Sequence, residues 1–291
     1  MASYYFCRMN LLKVFSFLLF WIISFQMFGQ EKDSLETYPE MSRWDMIKHD
    51  GASAFGGIKH VYTNPLRWKK RDWATFAGIV AGSALLLTID EPADDYFLEQ
   101  EEDIPHIVKE TGFRFGKPLL NYGLTTGVYA FGILTKNEKV RKTGVLLIAS
   151  ATAGGIIQTI SKTLAGRARP STGKGSTDFR FYSNDAGYHS FPSGHAILSF
   201  TTAYAISKQF TNPYVKGGIY ALGLVSPVSR LWAGAHWLTD VVLGVAISVV
   251  VVDGIDNYLN KNKRYAYKSK RLGIKWNITM GPGQLGLIGS F

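Results

Sequence analysis

Three short clusters in the second half of the chain have the residue types and spacing of a site for a phosphorylated molecule. Lys162 is followed by six residues and then Arg169-Pro170. Pro192-Ser193-Gly194-His195 comes next. Ser229-Arg230 is followed by five residues, then His236, three more residues and Asp240. Lys162, Arg169 and Arg230 suit a dianion: guanidinium offers a planar fork to phosphate oxygens, and ammonium a point charge. Pro192-Ser193-Gly194 reads as a helix start, whose free backbone N–H groups and dipole favour an anion. Gly194 allows close backbone approach, and Ser193 can donate its hydroxyl. His236 and Asp240, four apart, share one helical face. A carboxylate there fixes the imidazole tautomer and frees the other nitrogen to attack. His236 is therefore the candidate nucleophile and His195 the candidate general acid for the leaving oxygen. This chemistry calls for no cofactor and no metal, and no carboxylate cluster stands ready to hold one.

Six apolar segments must position these groups. They cover residues 73–90, 118–135, 143–161, 195–207, 217–228 and 237–252. Lys162 follows the third, His195 opens the fourth, Arg230 ends the fifth and His236 precedes the sixth. Helices alternating in direction bring all four ends to one side of a bundle. In a bilayer the ends are where charges belong, because a charge at the centre costs about 2.5–3.5 kcal/mol on insertion scales. Several segments fall short of the roughly 20 residues of a straight span, so flanking residues must contribute. Gly78 with Gly82, and Gly123 with Gly127, place small residues four apart, a spacing that lets helices approach closely. The expected architecture is all-α, with a six-helix core.

Composition agrees. The chain has 291 residues, a formal net charge of +10, 19% charged and 14% aromatic residues, which excludes dominant disorder. Its single cysteine, Cys7, excludes a disulfide scaffold or a cysteine-based metal site. No basic run interleaved with aromatics suggests a nucleic-acid partner.

The three clusters resemble the signature of the type 2 phosphatidic acid phosphatase and vanadium haloperoxidase superfamily. The resemblance spans roughly residues 162–240, and the apolar segments resemble the six-helix core of its membrane members. Every charged or histidine position of the pattern is filled. The resemblance implies a phosphohistidine intermediate on His236 supported by Asp240, with His195 as acid. It also implies phosphate contacts from Lys162, Arg169, Ser193, Gly194 and Arg230. The implied activity is metal-independent hydrolysis of a lipid phosphate monoester or diphosphate: phosphatidate, a polyprenyl diphosphate, phosphatidylglycerophosphate or a lipid A phosphate. A soluble exported acid phosphatase is the alternative within the same chemistry, and a vanadium-dependent haloperoxidase a more distant one.

Around the core, residues 73–256, the sequence adds three parts. Residues 1–30 read as a signal peptide or N-terminal anchor. Residues 31–72 form a polar region in which Trp44, Ile47, Phe55, Ile58 and Val61 have loose helical spacing, fit either for a membrane surface or for packing. Residues 257–291 form a basic tail ending in a possible hairpin. Basic connections at residues 136–142 and 208–216, with the basic tail, are cytoplasmic by the positive-inside rule. The site then lies on the extracytoplasmic, periplasmic face of a multi-pass cell-membrane protein. A cleaved signal followed by six strict crossings places residues 162–194 on the other side. An uncleaved anchor, a segment that does not cross, or a soluble exported bundle each resolves the conflict. Arg167 and Arg180 read as solvated loop residues, His189 as a surface histidine, and Trp232 and Trp237 as interfacial anchors. His49, His60 and His106 show no ligand spacing. The oligomeric state is left open.

Overall fold

Side-chain caps and proline set the helix boundaries. Asn137 accepts from the Val140 N–H at 3.1 Å and Asn212 from the Tyr214 N–H at 2.8 Å, each satisfying a donor that a helix start leaves unpaired. Pro118 and Pro213 each open a helix, where the missing N–H costs nothing. In this computed structural model, residues 41–265, 275–281 and 284–290 are described, and the signal or anchor read over residues 1–30 lies outside them. These residues hold nine α-helices: α1 (Arg43–Thr63), α2 (Lys70–Leu87), α3 (Asp90–Glu99), α4 (His106–Phe115), α5 (Pro118–Leu134), α6 (Glu138–Ala165), α7 (Gly194–Ser207), α8 (Pro213–Trp232) and α9 (Leu238–Lys261). Strands β1 (Lys275–Gly281) and β2 (Gln284–Ser290) pair antiparallel, from Lys275 opposite Ser290 to Gly281 opposite Gln284. The chain divides into two units after Ser42, and all these elements belong to the second.

The six apolar segments fall in α2 and α5 to α9. Among the described residues α6 and α9 are long and apolar enough to cross a membrane, and the pair α2–α3, bent by 63°, adds a third if it counts as one broken span. The central core joins Val145, Leu146, Leu147 and Ala149 of α6 to Val251, Val252, Ile255 and Leu259 of α9. α1 packs on this core through Ala54, Ile58 and Val61, and leaves Trp44 62% and Phe55 70% exposed on its other side. The helix therefore has one packing face and one outward aromatic face.

At the end of α6 remote from Lys162, Arg141 donates to both oxygens of buried Asp50 on α1, at 2.9 and 2.8 Å. Tyr129 and Tyr265 donate to the same carboxylate at 3.1 and 2.9 Å. A buried charge is tolerable only when so fully satisfied, and this cluster pins α1 to α5, α6 and the chain after α9.

The glycine pairs named from the sequence do not make the close contacts. A side chain at Gly78, Gly82, Gly123 or Gly127 would meet nothing within 4 Å. Close approach occurs instead at Gly144 against Tyr129, Gly154 against Ile197, Gly223 against Ala203 and Gly244 against Ala196. The four-residue spacing occurs on helix faces of either kind, so spacing alone does not find the interface.

Candidate functional site

The site forms where α6, α7, α8 and α9 meet. α6 ends at Gly166, whose φ of +55° is left-handed and whose N–H closes on the Lys162 carbonyl at 3.0 Å. Glycine is required there twice over, since a Cβ would also fall 1.8 Å from the Arg180 carbonyl oxygen. The stop leaves Lys162 in the last turn, half-buried and within electrostatic reach of Arg169 and Asp240. Arg169 is held by three backbone carbonyls: Nη1 donates to Ala235 at 2.8 Å, Nη2 to His189 at 3.0 Å and Nε to Ala186 at 3.2 Å. A guanidinium fixed in this way is preorganised for an anion.

Ser193 caps α7, accepting from the Ala196 N–H at 3.4 Å, and its own N–H donates to the Asp240 carbonyl at 3.0 Å. This bond ties the start of α7 to the start of α9. Gly194 lies directly under the Gln158 amide, where a Cβ would come within 2.7 Å of Nε2. His195 points into the same region, within electrostatic reach of Arg230, His236 and Lys162. Arg230 ends α8, and its Nε is buried without a partner. The turn to α9 closes through Gly234 at φ +54° and an Ala235 N–H bond to the Arg230 carbonyl at 3.0 Å. The structure thus brings together all eight residues named from the sequence: Lys162, Arg169, Ser193, Gly194, His195, Arg230, His236 and Asp240.

His236 is 3% exposed. Burial pushes its imidazole down to about 4, with Arg169 and Lys162 acting in the same direction and Asp240 opposing them. The ring is therefore neutral at pH 7 and keeps a lone pair. Its Nδ1 lies 3.7 Å from Asp240 Oδ2, longer than a hydrogen bond.

The Asp240 carboxylate is held mainly by other groups. Arg167 Nη1 donates to Oδ1 at 2.7 Å, the Trp237 N–H donates to Oδ2 at 2.9 Å, and the Ser190 hydroxyl also donates to Oδ2. Arg167 is 0% exposed, contrary to the solvated loop position expected for it. Its Nη2 donates to Asp90 Oδ2 at 2.6 Å and its Nε to the Ser176 carbonyl at 2.8 Å, while Asp90 Oδ1 accepts from the Thr239 N–H at 2.8 Å. Asp90, Arg167 and Asp240 thus form a buried carboxylate–guanidinium–carboxylate chain. Breaking a buried pair from one side costs about 3–5 kcal/mol. Arg167→Met is therefore expected to lower the thermal unfolding midpoint sharply in detergent. A melt matching the wild type would show that the two carboxylates do not need it.

Other expectations are corrected. Trp237 is 3% exposed, with Nε1 donating to the Ala168 carbonyl at 2.8 Å, so it packs inside rather than anchoring at an interface. His189 is half-buried and shares a 2.8 Å hydrogen bond with the Ser183 carbonyl. Arg180 is exposed as expected and lies over the Tyr188 ring. The sequence reading missed Arg167, Asp90 and Ser190. The available signals were a second arginine two places before Arg169 and a carboxylate closing an otherwise apolar segment. Among the described residues no group of three or more His, Cys, Asp or Glu is placed to hold a metal ion.

The chain is similar to several known proteins. The model of the PAP2 superfamily matches residues 143–264. A lipid A 1-phosphatase of Rhizobium etli is 26% identical over 204 residues, covering 62% of this chain and 81% of that protein. A lipid A 4'-phosphatase of Porphyromonas gingivalis is 26% identical over 110 residues, covering 37% of this chain and 47% of that protein. The crystal structure of Aquifex aeolicus LpxE aligns with a TM-score of 0.41 at 20% identity, covering 56% of this chain and 93% of that one.

Proposed function

We propose that this chain, which belongs to the PAP2 superfamily and is a phosphoric-ester hydrolase, releases phosphate from a lipid of the lipid A type through a phosphohistidine on His236. The observation that carries the reading is the convergence of Lys162, Arg169, Arg230 and the α7 N-terminus around a buried, neutral His236. The two named relatives support the choice of lipid.

The phosphate enters with its oxygens on the three cations and the α7 N–H groups. His236 Nε2 attacks phosphorus in line, a P–N bond forms, and the P–O bond to the lipid breaks. The bound phosphate dianion offsets the surrounding cations and favours protonated His195, which gives its proton to the leaving oxygen. Water then attacks the phosphohistidine, His195 takes the water's proton, and inorganic phosphate leaves. The cations stabilise charge on the equatorial oxygens throughout.

The active site faces the extracytoplasmic side of the membrane in this reading. Lys142, Lys208 and Lys261 lie at the other ends of α6, α7 and α9, as the positive-inside rule requires. Membrane embedding predicts that the protein stays with the membrane through carbonate washing. Release by carbonate would favour the soluble exported phosphatase, the second reading, for which the observation is that two or three helices among the described residues are span-like.

The test of substrate is phosphate release by purified protein in detergent with EDTA. The panel holds lipid A, phosphatidate, undecaprenyl diphosphate, phosphatidylglycerophosphate and an aryl phosphate. Lipid A is expected to be hydrolysed fastest, at a rate EDTA leaves unchanged. Preference for another lipid would correct the substrate. Loss of activity in EDTA would contradict chemistry done by side chains alone.

A further inference from the structure

We propose that Phe113, on α4, positions both the general acid His195 and the phosphate cation Arg230. The inference rests on the roles given to those two residues above. None of the three sequence clusters lies on α4.

The seating of α4 is close. Gly112 and Gly116, four apart, share the face turned to the site. A Cβ on Gly112 would fall 2.7 Å from Ser229 Oγ, and one on Gly116 would fall 2.2 Å from His195 Cδ2 and 2.5 Å from Ser226 Oγ. Only glycine lets the helix backbone come this near to the end of α8 and the start of α7.

That approach delivers the Phe113 ring. It stacks on the His195 imidazole with centroids 5.6 Å apart and planes inclined by 12°. The Arg230 guanidinium carbon lies 4.7 Å from the centroid of the same ring, and Lys117 Nζ lies 4.1 Å from it. The support differs from that of Arg169, which three backbone carbonyls hold. Arg230 donates through Nη2 to the neighbouring Ser229 carbonyl at 3.3 Å, and its Nε is buried without a partner. His195 Nε2 is likewise buried without a partner, and a hydrogen bond to the main chain of Phe113 acts on the same imidazole. Ring stacking therefore adds to that backbone hydrogen bond in orienting His195, and the cation–π contact supplies for Arg230 the orientation that backbone carbonyls supply for Arg169. One side chain sets the plane of the acid and the aim of a cation.

The two roles separate by leaving group. A sugar or phenol oxygen needs a proton as it departs, whereas 4-nitrophenolate leaves without one. General-acid catalysis contributes about 10²–10⁴ in rate, so partial misalignment of His195 in Phe113→Leu is expected to lower kcat on lipid A and on phenyl phosphate about tenfold or more. On 4-nitrophenyl phosphate the burst of 4-nitrophenolate, which reports phosphorylation of His236 alone, is expected to change little, while kcat falls with the His195-assisted hydrolysis of the common phosphohistidine. KM rises about threefold on all three substrates, the size of a lost cation–π contact on Arg230. Phe113→Trp, which keeps a ring for both contacts, restores kcat. Gly116→Ala, which presses on His195 directly, repeats the leaving-group-dependent loss.

An equal fall in the phosphorylation rate on all three substrates would make Phe113 merely structural and overturn the proposal, as would an unchanged enzyme. Phenyl phosphate keeps the test independent of the lipid. Wild-type activity on the aryl esters that fails only on lipid A would instead count against the substrate proposed above.

Discussion

His236→Ala is expected to remove turnover on every phosphate ester while leaving the helical bundle folded. Loss of a covalent nucleophile that acts with its neighbours as a unit costs on the order of 10⁴-fold or more. No other imidazole substitutes for it, because His195 belongs to α7 and is stacked on Phe113. The fold survives because His236 precedes α9 and its Nδ1 makes no hydrogen bond. Far-ultraviolet circular dichroism and a thermal melt check the fold, and phosphate release checks the chemistry. A pH series adds a second signature. The imidazole is held at about 4 in the folded protein, below its ordinary value of 6.5. Its contribution to stability is whole above about 6.5 and is lost as pH falls towards 4, because the unfolded chain binds the proton first. The melting temperature of the alanine variant should therefore fall less steeply across that interval. Undiminished turnover would remove His236 as nucleophile.

Asp240→Asn is expected to cost on the order of 10⁴ in kcat, the loss seen when the carboxylate of a histidine-dependent triad becomes an amide. The carboxylate sits 3.7 Å from His236 Nδ1 and receives the Arg167 guanidinium, the Ser190 hydroxyl and the Trp237 N–H. All three are donors, so an amide nitrogen must face at least one of them. The variant therefore loses the negative charge that supports an imidazolium-like nucleophile and also gains a donor–donor clash. Steady-state kinetics beside a melt separates the two effects. A fall below tenfold in kcat with a large drop in melting temperature would make Asp240 a structural acceptor only.

The extent to which the site was legible follows from where its partners lie. Lys162 with Arg169, Ser193 to His195, and Arg230 with His236 and Asp240 stand in short runs with fixed spacing, and helix ends present them together. Arg167 was not legible in this way. It stands in the same run as Arg169, but its partners Asp90 and Asp240 lie 77 and 73 residues away. Nothing local tells which of the two arginines turns inward. Trp237 was misplaced for the same reason: its indole N–H finds the Ala168 carbonyl 69 residues earlier, so it is buried where composition suggests an interface. The glycines show a further limit. Gly78, Gly82, Gly123 and Gly127 sit on open faces, while Gly112 and Gly116, with the same spacing on a short helix, make the approach that seats Phe113. Spacing marks a helix face, and only the partner across from it makes that face an interface.

The proposed chemistry turns on one covalent bond, and the most direct measurement is to trap it. Protein mixed with phosphate-labelled substrate is quenched in alkali, where a phosphohistidine survives, and the label is mapped by mass spectrometry. The mechanism predicts label on His236, and none anywhere in His236→Ala. Label on another residue, or active enzyme that never carries label, would contradict it.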